Sequence, residues 1–255
     1  MHTRVLKESV GKDVLEIGPG YGLFSMYLCF NAASIHLLEV STDCTDYLEH
    51  QLRTNARPWT QSNVTVENAD VTSAECTIST AKYDAIPIFN VLHYMTPTNA
   101  KITLEKAKEG LKDQNARIFV IMDVVTTFGL SKVIEHYLEA ESDGLHFPGF
   151  LRYYFTGDYE PCNSNKTERL FAWTNEARDS EIDPMTVLKK IDSSGKTDQS
   201  IITYFGGDIN SMRRLFCDAG LSIVRIYYQA QITGEIFYEL TSDILHQHND
   251  IKICA

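Results

Sequence analysis

The chain has 255 residues, of which 44% are hydrophobic and 22% are charged, a composition ordinary for a globular protein with a buried core. Lys and Arg total 23 against 34 Asp and Glu, and the resulting formal net charge of -11 argues against a nucleic acid as the main partner. No apolar run approaches the roughly 18 residues that a membrane-spanning helix needs, so a membrane partner is not expected.

Residues 12–123 alternate short apolar runs with helical patterns, which is typical of a parallel sheet wrapped by helices. Helical patterns cover 24–30, a stretch that begins near Thr42, and 102–111. Pro87 is awkward inside the fourth apolar run, because proline cannot donate a hydrogen bond to a neighbouring strand. The predicted strands are 14–17, 34–40, Val64–Asn68, 83–89 and Arg117–Asp123.

From residue 124 to residue 205 this alternation stops, and aromatic residues become frequent. A stretch of this length without a sheet pattern is more often a folded unit than a linker. We therefore predict an inserted cap at 124–205, with helices at 132–140 and 184–191 and loops at 163–167 and 192–198.

The earlier pattern resumes near the C-terminal end of the chain. A helical pattern begins at Ser211, and Gly220 follows it as a natural helix stop. Two closing strands are predicted at 221–228 and 235–240. The chain is therefore predicted to consist of a core, formed by 1–123 with 206–255, and of the inserted cap.

Between the first predicted strand and the first helix lies a glycine-rich segment, Glu16-Ile17-Gly18-Pro19-Gly20-Tyr21-Gly22. Glycines let the backbone approach a nucleotide closely, because a Cβ there would collide with it. Dinucleotide-binding domains use G-x-G-x-x-G, but here the third glycine comes one residue early and Leu23 takes its place. This spacing disfavours an NAD-linked oxidoreductase.

The E-x-G-x-G-x-G form of this segment resembles the first motif of class I S-adenosylmethionine-dependent methyltransferases. Glu39 ends the second strand, about 20 residues after the glycines, where a carboxylate can accept both hydroxyls of a ribose. Asp70 follows the third strand, where the resemblance implies an acid that accepts from the adenine amino group. Acidic side chains also suit a cationic sulfonium. The implied cofactor-binding residues are Glu16, Gly18, Pro19, Gly20, Gly22, Glu39, Asp70, Val71 and Asn90.

The resemblance implies an α/β fold: a doubly wound, seven-stranded, mostly parallel sheet with a last antiparallel strand. The cap-like insertion follows the fifth strand. About ten residues precede the first strand, whereas relatives usually carry one or more covering helices there. We expect either that the chain is shortened at its N-terminus or that the insertion, together with a second subunit in a homodimer, covers the cofactor.

The resemblance places the reacting methyl group above the end of the fourth strand, next to the segment that contains His93. His93 is the candidate catalytic base, because its ordinary pKa lies near working pH. The alternative is that it packs structurally beside the cofactor, as in many family members. In the cap, Tyr153 and Tyr154 are the favoured substrate-pocket residues, and His146 is a further polar group that could face the pocket.

Three other chemistries are disfavoured near the fourth and fifth strands. Residues 88–91 lack the N/D-P-P-Y motif of amino-methylating enzymes that act on nucleobases, and residues 94–99 lack the paired glutamates of protein arginine methyltransferases. Catechol-type enzymes hold Mg²⁺ with carboxylates after these two strands. No metal is expected here, because Asn90 is neutral and Val124 follows Asp123.

The methyl acceptor is most simply O or N of a small molecule, selected by the aromatic cap. A protein side chain is an alternative, since an acidic surface suits a basic peptide, and a catalytically silent cofactor-binding partner subunit is another. The six cysteines form no CxxC pair and have no His at zinc-ligand spacing, so we expect reduced thiols in a cytoplasmic protein.

Overall fold

A computed structural model of the chain describes residues 2–55, 63–123, 142, 150–155, 200–205, 208–230, 236–238 and 251–255. Within them the strands are β1 (Asp13–Ile17), β2 (Ser34–Glu39), β3 (Val64–Asn68), β4 (Ala85–Phe89), β5 (Arg117–Asp123), β6 (Phe150–Phe155), β7 (Ser200–Phe205), β8 (Tyr227–Ala230), β9 (Ile236–Phe237) and β10 (Ile251–Cys254). The helices are α1 (His2–Glu8), α2 (Ser25–Leu28), α3 (Thr42–Asn55), α4 (Pro97–Gly110) and α5 (Ile209–Asp218), with a 3-10 turn at Leu92–Tyr94.

The main sheet has the strand order β3-β2-β1-β4-β5-β10-β8-β9. The first five strands in this order are parallel, and β10 runs antiparallel to both β5 and β8. A seven-stranded, mostly parallel sheet with an antiparallel last strand is therefore confirmed. The short strand β9 adds an antiparallel edge beyond β8.

The two predicted closing strands are found in shorter form, and a third strand was not predicted. The strand predicted at 221–228 is paired only from Tyr227, and the one predicted at 235–240 contains β9, which pairs antiparallel with β8. The strand that was not predicted is β10, which lies antiparallel between β5 and β8. Leu221 and Ile223 alternate with exposed residues, which is the pattern expected of a strand. They pack against the core, however, without pairing to a neighbouring strand. β10 is only four residues long, so it gives little periodic signal, yet Ile253 and Cys254 are fully buried between β5 and β8.

Pro87 is accommodated inside a central strand by an interrupted ladder. β4 pairs with β5 at every position, whereas its pairing with β1 is confined to Val14–Ala85 and Ile17–Ile88. Asn90 N–H donates to Ile121 O at 2.7 Å, so alternate residues of β4 face β5 and Pro87 faces β1. Because proline has no N–H, the hydrogen bond that position 87 would donate to β1 is absent, and the pairing with β5 is unaffected.

Capped helices pack against the sheet. Thr96 Oγ1 accepts the N–H of Asn99 at 3.1 Å to begin α4, and Asp208 Oδ1 accepts the N–H of Ser211 at 2.9 Å to begin α5. The main core lies between these two helices and the sheet. Gly220, at φ +68°, ends the α5 segment in the left-handed conformation that was predicted for a helix stop. No helix in the described ranges is long and apolar enough to cross a membrane.

β6 and β7, which lie between β5 and β8 in the chain, form a separate two-stranded sheet. β6 and β7 pair antiparallel, from Phe150–Phe205 to Phe155–Ser200, and β7 lies beside the 3-10 turn that follows β4. Tyr153 and Tyr154 lie in β6, opposite Ile202 and Ile201. The predicted helices at 132–140 and 184–191, the loops at 163–167 and 192–198, and His146 fall outside the described residues.

Candidate functional site

The glycine turn after β1 adopts backbone conformations that favour glycine. Gly18, Gly20 and Gly22 have φ angles of +69°, +56° and +74°. An L-residue with a Cβ would be strained by roughly 1–2 kcal/mol at each of these positions. The alternation of glycines in the sequence is therefore explained first by backbone geometry.

The three glycines differ in what surrounds them. A Cβ on Gly18 would collide with the side chain of Val91, and a Cβ on Gly22 with that of Leu48. A Cβ on Gly20 would meet no atom within 4 Å. Two glycines thus allow the turn to pack closely against neighbouring segments, and Gly20 presents bare backbone to open space, where a ligand can approach.

Glu39, at the end of β2, is bonded to the glycine turn. Its Oε2 accepts the N–H of Gly20 at 2.8 Å, and its Oε1 accepts the N–H of Ser41 at 2.9 Å. The side chain is largely buried, with the residue 7% exposed. Each carboxylate oxygen has a further lone pair, so Glu39 can accept additional hydrogen bonds from a ligand.

Asp70 lies just past β3 at the same edge. Its Oδ1 accepts both the N–H and the hydroxyl of Thr72, each at 2.8 Å, and neither bond uses Oδ2. β3 is aligned on β2 by the pairing of Glu39 with Asn68. Val71 is buried in the main core next to this acid.

Glu16 is a buried acid beneath the glycine turn. It is 3% exposed, and its Oε2 accepts the hydroxyl of Ser25 at 2.6 Å. Burial raises the pKa of the Glu16 carboxyl to about 7. The hydrogen bond from Ser25 partly offsets this rise because it favours the charged form, and the negative charge of Glu39 adds a smaller rise. Glu16 therefore titrates near neutral pH.

The end of β4 turns sharply at Asn90, an exposed non-glycine residue with φ +57°. Such a conformation costs of order 1 kcal/mol and is common at functional sites. Val91 then packs on Gly18, which brings the end of β4 against the glycine turn.

His93 follows in the 3-10 turn and is 1% exposed, with its ring 4.2 Å from that of Tyr94. Burial, and to a lesser extent the charge of Lys252, lower the pKa of the His93 imidazole to about 3. The imidazole is therefore neutral at physiological pH and a weak base.

The predicted residues of β1 to β4 thus meet at one edge of the sheet, the carboxyl end of the parallel strands. Ser25 and Thr72, the partners of the two acids, were missed by the sequence reasoning. Thr72 carried a signal, since a hydroxyl two residues after an aspartate commonly closes a local turn. Ser25 carried none, because its bond to Glu16 depends on how α2 packs under the turn. Within the described part of the chain, no group of three or more His, Cys, Asp or Glu side chains could hold a metal ion.

Residues 15–117 match the family model described as a methyltransferase domain. The matched stretch contains the glycine turn, the acids Glu39 and Asp70 at the carboxyl edge of the sheet, and the segment after β4. Over this stretch the chain is similar to methyltransferase domains.

Solved methyltransferases of low sequence identity share the fold. A S-adenosylmethionine-dependent methyltransferase from Methanosarcina mazei is 14% identical, with a TM-score of 0.57 over 99% of this chain and 93% of that protein. One from Mesorhizobium loti is 13% identical, with a TM-score of 0.54 over 99% and 94% of the two chains. A glycopeptide N-methyltransferase in complex with S-adenosylmethionine is 11% identical, with a TM-score of 0.57 over 99% and 84%. No curated protein matches the chain.

The groups at the carboxyl edge of the sheet fit S-adenosylmethionine. Gly20 offers an approach to bare backbone, and Glu39 and Asp70 offer carboxylate acceptors for hydroxyl and amino donors. The edge presents acids and no described basic cluster, which suits a cationic sulfonium better than a phosphate. It also lies between β1 and β4, where the strand order reverses and ligands of open α/β sheets bind.

Proposed function

We propose that this chain is a class I S-adenosylmethionine-dependent methyltransferase, which transfers the methyl group to O or N of a small molecule held between the carboxyl edge of the sheet and the two-stranded sheet of β6 and β7. The observation that carries the proposal is the position of β7, which lies beside the 3-10 turn after β4. The inserted region therefore approaches the strand end where the family places the reacting methyl group. A site bordered on two sides suits a small acceptor better than an extended chain.

We propose that the chain's own residues hold the cofactor as follows. Glu39 accepts from the ribose hydroxyls through lone pairs that Gly20 and Ser41 leave available. Asp70 accepts from the adenine amino group through Oδ2, while Thr72 fixes Oδ1. When bound, S-adenosylmethionine supplies an electrophilic methyl group on its sulfonium.

The remaining cofactor positions have supporting roles in this proposal. Glu16 anchors the base of the turn through Ser25, and Pro19 stiffens it between two glycines. Val71 forms an apolar contact beside Asp70, and Asn90 presents its polar side chain at the end of β4.

For the transfer step we propose that His93 packs structurally rather than acting as the base. A group with a pKa of about 3 is a poor proton acceptor at neutral pH, and the side chain is buried. An acceptor such as an uncharged amine needs no base before attack, so positioning and exclusion of water supply the rate. Tyr153 and Tyr154 occupy neighbouring positions of β6, whose side chains alternate between the two faces of a strand, so one of the two is proposed to face the acceptor.

A protein side chain is the second candidate acceptor. The observation that favours it is the formal net charge of -11, which would attract a basic peptide. The charge bears on the whole surface rather than on the mouth of the site, so it carries less weight than the position of β7.

The test has two stages. Calorimetry first compares adenosylhomocysteine with NAD as ligands of the full chain, and a preference for NAD would overturn the cofactor assignment. Labelled S-adenosylmethionine is then incubated with the chain and fractionated cell extract, with Asp70→Ala as a cofactor-weakened control. Label in low-mass products supports the proposal, and label on protein bands favours the second candidate. Tight cofactor binding with no labelled product in any fraction indicates a silent partner subunit.

We also propose a cytoplasmic location, on a separate observation. The described cysteines are all free thiols, and Cys29, Cys76 and Cys254 are buried. Free thiols are typical of a reducing compartment. Fractionation of cells that express the tagged chain tests this.

A further inference from the structure

A groove of about 310 Å³ lies at the amino end of β5, at the opposite edge of the sheet from the glycine turn. One wall is the turn that leads into β5 at Arg117, and the other is the segment 221–226 that leads into β8. Ala255, just past β10, borders the groove between them. None of the cofactor-site residues lines it.

Val120 and Ala255 exchange both backbone hydrogen bonds, at 2.7 and 2.9 Å, where the groove meets β10. Arg117 N–H donates to Asp84 on the other side, so alternate residues of β5 face β4. The N–H and C=O of Ile118 therefore lie on the side of β5 that faces the groove.

Arginines surround this opening in an otherwise acidic protein. Arg4, Arg117 and Arg225 all line it, against one acid, Asp113. The Asp113 carboxylate is already engaged, since its Oδ1 accepts the N–H groups of Asn115 at 2.6 Å and Ala116 at 3.2 Å. The local charge is thus the reverse of the overall charge of -11.

Two of the arginines are held in place by contacts that leave donors available. Nη1 of Arg117 donates to the carbonyls of Gln114 and Ala116, at 2.8 and 2.9 Å. Arg225 stacks its guanidinium 4.7 Å from the ring centre of Tyr227. Because a guanidinium has five N–H donors, each can still bind an oxyanion. Arg4 is partly neutralised by Glu8, which lies 2.7 Å away.

The rest of the lining is apolar. Phe216 and Ile118 contribute apolar side chains, and Val224 is 67% exposed at the rim. An apolar interior with a few convergent polar groups is typical of small-molecule sites, and the volume lies at the lower end of their range.

We infer that this groove binds a small organic anion with an apolar body, independently of the cofactor. Its oxyanion is bound by Arg117 and Arg225, and its body lies on Phe216 and Ile118. The charge complementarity between the arginines and the anion selects this occupant over a neutral apolar molecule or a second acidic copy of the chain.

The test uses 2-naphthoate as the probe and 2-naphthylmethanol as its neutral analogue, titrated into the full chain by calorimetry. We expect saturable one-to-one binding of 2-naphthoate and at least tenfold weaker binding of the alcohol. Equal affinity of the two would overturn the assignment to an anion. Binding that adenosylhomocysteine abolishes by competition would place the probe in the cofactor site and would also overturn it.

Variants locate the probe. Arg225→Ala changes an exposed side chain and should weaken 2-naphthoate about tenfold, and Val224→Asp, also at the exposed rim, should weaken it by a similar factor through repulsion. The matched control is Arg213→Ala, which removes the same charge from an exposed position of α5 outside the groove and should change affinity less than twofold. If both groove variants bind like the control, the site is not this groove.

Discussion

The Glu39 carboxylate accepts the backbone N–H of Gly20 at 2.8 Å, which ties the end of β2 to the glycine turn after β1. This bond holds the turn in shape through the same acid that is proposed to bind the ribose. A preformed turn lowers the ordering cost of ligand binding. Gly20 therefore has two separable properties, its backbone conformation and the open space in front of it.

Alanine substitutions separate these properties. Gly20→Ala should cost roughly 1–2 kcal/mol of unfolding free energy for its positive φ and should weaken adenosylhomocysteine at least tenfold, because the new Cβ enters the ligand's space. Gly11→Ala is the matched control, since Gly11 has φ +67° and a Cβ there also meets nothing within 4 Å. It should lose the same stability and keep full affinity. Urea unfolding and calorimetry measure both, and equal ligand affinity in the two variants would show that Gly20 does not face the cofactor.

The role of Asp70 is tested with the turn kept intact. Asp70→Asn retains an oxygen for Thr72 but replaces the proposed adenine acceptor, and we expect adenosylhomocysteine affinity to fall by roughly 1–3 kcal/mol. Thr72→Val is the control, since it removes the hydroxyl bond and leaves the carboxylate in place. Its affinity should change less than threefold. Unchanged affinity in Asp70→Asn would remove Asp70 from the site.

Glu16 should make the protein less stable as pH rises. Its folded-state pKa of about 7 lies above the unfolded value, so between about pH 4.5 and 7 the folded state holds a proton that the unfolded state has lost. A stability contribution of about 3 kcal/mol is therefore lost across that window. Glu16→Gln should flatten this slope in urea unfolding free energies, whereas Glu105→Gln, a half-exposed acid on α4, should not. A slope that survives in Glu16→Gln would assign it to other groups.

His93 should act in the opposite direction. The folded-state pKa of His93, about 3, lies below the unfolded value. As pH falls from about 6.5 to 3, the unfolded state therefore binds a proton that the folded state does not bind. Stability should therefore decline with acid in the wild type and decline less in His93→Gln. His50→Gln, on the exposed side of α3, serves as the control. If His93→Gln instead loses activity a thousandfold with its stability unchanged, the histidine acts in catalysis.

The sequence was sufficient for the part of the fold that repeats. Strands β1 to β5 were predicted within two residues at each end, because each has apolar residues, in a run or in alternation, bounded by a helix or a turn. β10 was missed because four residues containing Lys252 give no pattern until β5 and β8 lie on either side. Short edge elements are set by tertiary contacts, which periodicity does not contain.

The site was predictable to the level of residue type and position. The glycine spacing and the two acids were visible because each ends or follows a strand, and such ends meet at one edge of a parallel sheet. The bond from Gly20 to Glu39 and the low pKa of His93 were not visible. Both depend on side-chain burial and distance in three dimensions rather than on spacing along the chain.

Pro87 gives the sheet a seam. Because β4 and β1 pair at two positions and β4 and β5 at five, the sheet divides into a half carrying the glycine turn and both cofactor acids and a half carrying the turn after β4. A ligand that contacts both halves at the carboxyl edge stabilises the weaker pairing between β1 and β4. Amide protons of β1 and β4 next to this weaker pairing should then exchange with solvent more slowly once the cofactor is bound. The cofactor would thus hold together the two halves of the sheet between which the methyl group is transferred.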